Sequence, residues 1–154
     1  MVDIGFSGGE KLAKYLADVQ SSVESAKQLS AGFMSGATYP DGTKVAYVAA
    51  INNYGAPGRN IPPRPFFSGM VDKKSPGWGE RLGEALIYTD FNGKKSLMLM
   101  GEEIVGDLKQ SINDMDSPPL SPATIARKGF SKPLIDTSHM INSAQYQVDD
   151  NEPA

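Results

Sequence analysis

Asp136, Ser138 and His139 bring together the three residue types of a hydrolase triad, in which a carboxylate orients an imidazole that takes a proton from a nucleophilic hydroxyl. Crowded into one short stretch they cannot converge in line, so the expected reading is a polar helix start with a solvent-facing histidine. Glu103 and Asp107 stand one helical turn apart and offer oxygens to a hard cation such as Mg²⁺. No third carboxylate obviously joins them, and a solvated helix face is the plainer expectation. Gly77-Trp78-Gly79-Glu80-Arg81-Leu82-Gly83 resembles a dinucleotide loop, but its third glycine falls one place late and no strand precedes it. Gly93-Lys94-Lys95-Ser96 looks like the end of a phosphate loop, yet Tyr88 stands where the first glycine is required. There is no cysteine, and His139 is the only histidine. That excludes zinc fingers, thiol redox centres and Cys–His nucleophiles. No catalytic group, cofactor or metal is expected.

The unusual segment is Ile61-Pro62-Pro63-Arg64-Pro65-Phe66-Phe67. A residue before proline avoids the helical region, so Arg64 is held extended between two prolines. A stiff extended segment loses little entropy on docking, and arginine beside aromatics is the anchor that interfaces favour. Phe66 and Phe67 could equally plug the protein's own core.

These residues need a frame. The 154 residues are the size of one domain, with 40% hydrophobic and 21% charged residues, which excludes a wholly disordered chain. Sixteen glycines and eleven prolines promise long shaped loops. A net charge of −3 gives no basic face for nucleic acid. The N-terminus has neither the basic start nor the apolar run of a signal peptide, and no stretch reaches the ~20 apolar residues of a membrane span.

Ser7-Gly8-Gly9-Glu10 has the form of a capping box. Leu12, Leu16, Val19, Val23 and Ala26 follow as one apolar stripe, predicting a first helix. Residues 29–38 read as a strand, Pro40-Asp41-Gly42 as a turn, and Val45–Tyr54 as a short helix stopped by Gly55. Residues 56–65 are too rich in proline for regular structure. Ser75-Pro76 opens a helix through Trp78, Leu82, Ala85 and Leu86. Leu97, Met100, Ile104, Leu108, Ile112 and Met115 predict another over 93–115, with Pro118-Pro119 beyond it. Short helices near 123–128 and 138–144 and a closing strand over 145–148 complete the reading. The expected architecture is α+β, with several helices on a small antiparallel sheet. It is one domain over 1–148 with a frayed acidic tail at 149–154. Residues 55–65 and 116–132 are expected to be exposed and loosely ordered.

Five stretches in order resemble the small head–tail joining, or tail completion, proteins of tailed bacteriophages. They are Gly36-Ala37-Thr38-Tyr39-Pro40-Asp41-Gly42, the helix Val45–Tyr54 with Gly55, the Ile61–Phe67 segment, Pro118–Gly129, and Lys132-Pro133-Leu134-Ile135-Asp136-Thr137-Ser138-His139-Met140. Their order and spacing resemble the family's from about residue 30 to 148. Asn53 stands where that family usually has an acidic residue, and Ser138 where it has glycine. The resemblance implies a non-enzymatic structural protein of the virion neck or tail end, present in the host cytoplasm during assembly. It implies a ring of identical subunits that meets adjoining tail and connector proteins, with DNA only passing through and no membrane. The contact surface it suggests, taken with the loop chemistry above, is Asn52, Tyr54, Ile61, Pro62, Arg64, Pro65, Phe66, Phe67, Leu120, Lys128, Asp136 and Thr137. A monomeric partner-binding module using the Pro-Arg-Phe loop is the alternative.

Overall fold

The long apolar stripe folds as the helix Gly93–Asp114, the element against which most of the others pack. The computed structural model describes residues 8–135 and 138–150. In chain order these give α1 (Gly9–Val23), β1 (Ala26–Phe33), α2 (Val45–Tyr54), α3 (Phe66–Lys74), α4 (Trp78–Tyr88), α5 (Gly93–Asp114), α6 (Pro122–Lys128), α7 (His139–Asn142) and β2 (Ala144–Asp150). The fold is α+β, helices on a two-stranded antiparallel sheet.

α5 begins where Asn92 Oδ1 accepts the Lys95 N–H at 2.9 Å, the exchange that satisfies a free donor at a helix start. Its buried face carries Met100, Val105, Leu108 and Ile112. The sheet lies across α5 because Gly101 has no side chain. A Cβ there would run into the ring of Tyr146 and into Leu29. β1 and β2 pair as Leu29↔Val148, Ala31↔Tyr146 and Phe33↔Ala144. Val45, Ala49, Phe66, Met70, Leu108, Ile112, Leu134, Met140 and Ala144 form one apolar core. Among the described residues no helix is long and apolar enough to cross a membrane.

Several boundaries differ from the expectation. β1 starts at Ala26 and stops at Phe33, so Ala26 belongs to the sheet and not to the first helix's stripe. Thr38, expected in the strand, instead bridges to Lys44 across the Pro40-Asp41-Gly42 turn. β2 runs on through Asp150, and Asp149, expected in a frayed tail, pairs with Gln28. α3 covers residues for which the sequence reading gives no element. The capping-box serine, Ser7, lies outside the described residues, as do Asp136 and Thr137.

Residues 55–65 are mostly exposed, as expected, and carry bonds of their own. Gly55 closes α2 at φ 77°, and a Cβ there would meet the Pro63 nitrogen at 2.8 Å. A 3-10 turn over Pro57–Arg59 follows, then a bridge between Ala56 and Ile61. The Arg64 N–H donates to the Asn52 carbonyl at 2.8 Å. Residues 116–132 are likewise mostly exposed and contain α6.

Candidate protein-binding cleft

α6 begins as a sequence of its type should. Ser121 Oγ accepts the Thr124 N–H at 3.3 Å, Pro122 takes the first turn, and Gly129 ends the helix at φ 80°. Its Thr124, Arg127 and Lys128 form one wall of a cleft of about 760 Å³. The opposite wall is the turn at Tyr39, Pro40, Asp41 and Thr43, with Val48 and Asn52 of α2; Leu120, Leu134 and Met140 supply apolar floor.

His139 joins the wall to the turn. Its Nε2 lies 2.8 Å from the Thr38 carbonyl, which accepts from it, and its ring sits 4.7 Å from that of Tyr39. The imidazole is half-buried, which corrects the expectation of a solvent-facing histidine. Asp41 Oδ1 accepts the Thr43 N–H at 2.9 Å, and that bond holds its carboxyl below the ordinary carboxylate range. Lys128 donates to the Lys132 carbonyl at 3.0 Å and lies 4.8 Å over the Phe130 ring. The cleft therefore carries two cations and one carboxylate around an apolar floor, a composition suited to a protein segment.

Asn52, Leu120 and Lys128 of the expected contact surface are brought together here. Tyr54, Phe66 and Phe67 meet elsewhere, around a hollow of about 310 Å³ beside β1. Ile61 is half-buried in its bridge, while Pro62 and Pro65 are exposed.

Two residues of the expected contact surface face inward: Arg64, read above as an exposed anchor, and Phe66, for which core and interface were both open. Phe66 is 0% exposed and belongs to the core. Arg64 is 5% exposed, and its Nε donates to the Pro118 carbonyl at 3.0 Å. Burial pushes the guanidinium pKa below its ordinary value, though arginine stays charged in proteins. No carboxylate among the described residues pairs with it. Arg64 is thus a clamp between the proline segment and the start of the 118–129 stretch. Asn53, buried on α2, takes a different task. Its Oδ1 accepts from the Phe67 and Ser68 N–H groups at 2.9 and 3.1 Å, capping α3 from another element.

The remaining chemical candidates are occupied. Asp107 pairs with Lys74 at 2.9 Å and Glu103 with Arg81 at 3.5 Å, so each carboxylate has its own cation. Among the described residues no group of three His, Asp or Glu side chains could hold a metal. Sequence reading missed Tyr39, Arg127 and His139 as cleft residues. All three lie inside the resembling stretches, which was the available signal. Comparison with protein-family models, curated proteins and solved structures returns no match to this chain.

Proposed function

We propose that this chain is a structural assembly protein of a phage particle. In this reading it forms a ring at the neck or tail end, completes the tail and joins it to the head, and is not an enzyme. The observation that carries the reading is convergence. Four of the five resembling stretches, which fall as two neighbouring pairs in the sequence, wall one cleft through Tyr39, Asn52, Lys128 and His139. The remaining stretch, around Arg64, is tied to the one that begins at Pro118 by the bond from Arg64 Nε to the Pro118 carbonyl. A cleft assembled this way suits a segment of an adjoining subunit or connector protein, with cations at its rim and Leu120, Leu134 and Met140 beneath. Inward placement of Arg64 and Phe66 takes these two side chains out of the contact surface of this reading and of the peptide-module alternative alike.

The test is mass measurement of the full chain mixed with the head- and tail-side proteins encoded beside it. A defined multi-copy complex is expected. Leu120→Glu with Arg127→Glu, both away from the core, should abolish that complex while melting as wild type does. A chain that stays separate from every such neighbour overturns the reading.

A further inference from the structure

α1 meets the rest of the molecule at its C-terminal end. There the Ser22 and Val23 carbonyls lie against Gly93, and Ser25 Oγ accepts the Lys94 N–H at 3.2 Å. None of the helix's 15 residues is buried. Yet Leu12, Leu16, Val19 and Val23 recur at helical spacing, and Leu12, Tyr15, Leu16 and Val23 remain 52%, 53%, 56% and 38% exposed. Its N-cap, Gly8, supplies no side-chain bond. A helix of about 15 residues without tertiary cover is marginal in water. The stripe requires a partner.

The same chain holds an unfilled apolar groove. β1, α3, α4 and α5 enclose about 420 Å³, walled by Leu29, Val71, Trp78, Leu82 and Leu97, and no residue of α1 is among its walls. Buried area selects the occupant. The uncovered remainder of the α1 stripe is on the order of 300–400 Å². A stable interface takes roughly 800 Å² from each partner. One arm laid on an unrelated protein supplies about half of that. A copy that gives its arm and also receives one in its groove reaches it.

We propose that α1 is an exchange arm whose Leu12–Tyr15–Leu16 face docks in the β1–α3–α4–α5 groove of a second copy of this chain. The exchange is reciprocal, each copy's arm lying in the other's groove, so that one pair of copies buries both arms and both grooves. The groove shares no lining residue with the cleft described above, so this contact stands or fails apart from the virion reading.

Because the chain has no cysteine, introduced thiols report position without background. The full chain is prepared separately as Leu16→Cys and as Leu82→Cys, and the two are mixed and treated with a short bismaleimide. The expected product has twice the 16.5 kDa chain mass and contains one copy of each variant. Leu16→Cys mixed with Tyr47→Cys, on the surface of α2, should give none. Sedimentation of the wild type should show self-association. Leu12→Glu with Leu16→Glu should weaken it on the order of 100-fold, without shifting the melting of the isolated subunit. Three results overturn the proposal. They are a wild type that is monomeric at about 100 μM, a Leu16→Cys that links only to itself, and a link that forms only within a single chain carrying both substitutions.

Discussion

Arg64 shows how one side chain changes meaning once its partner is known. Its charge is almost enclosed, and what holds it is the Pro118 carbonyl, 54 positions further on. Removing the guanidinium leaves that carbonyl without its donor and opens a space at a nearly enclosed position. Arg64→Ala should therefore cost about 2–3 kcal/mol, read by chemical denaturation. Arg64→Lys should not rescue it, because an ammonium cannot reproduce the Nε geometry. A variant as stable as wild type would show that the clamp carries no energy. Asn53→Ala strips the acceptor from two N–H groups at the start of α3 and should cost about 2 kcal/mol in the same assay. Ser138 sits at φ 59°, a left-handed conformation that a side chain disfavours. Ser138→Gly should raise stability by up to ~1 kcal/mol, and a lower melting temperature would contradict this.

Among the elements, the sheet's seat on α5 is the most exacting contact. Gly101→Ala places a methyl group into the Tyr146 ring, and the expected loss is about 1–3 kcal/mol by thermal unfolding. Elements whose cause is local were legible in the sequence. α2, α5 and α6 carry their own periodicity, caps or stops, and each lies within a residue or so of its expected span. Elements whose cause is distant were not. α3 has Pro65 before it and no cap of its own, since its capping group is Asn53 on α2. β1 takes Ala26 and the polar pair Lys27-Gln28 because β2 lies alongside, with Gln28 opposite Asp149. The cleft was legible as separate stretches. Their convergence was not, because it depends on the His139–Thr38 bond and the Arg64–Pro118 bond, each spanning two of them.

At the scale of the whole molecule, the cleft and the groove are two surfaces without a common lining residue. Arg127→Glu should accordingly leave self-association unchanged while it weakens binding at the cleft, a separation that sedimentation with and without the partner reads directly. Hydrogen exchange offers a second measurement. Amides of α1 should exchange quickly in dilute protein and slow as concentration rises, whereas those of α5 should stay slow throughout. Fast exchange over residues 55–65 would contradict the bonds that hold them. The pairing of β1 with β2 also sets an order on biosynthesis. Phe33 must wait for Ala144, roughly 110 residues later, so the ribosome releases β1 long before its partner strand exists. Through that interval the Leu29 side of β1 and the Gly101 face of α5 stand open to chaperones, until β2 emerges and covers them.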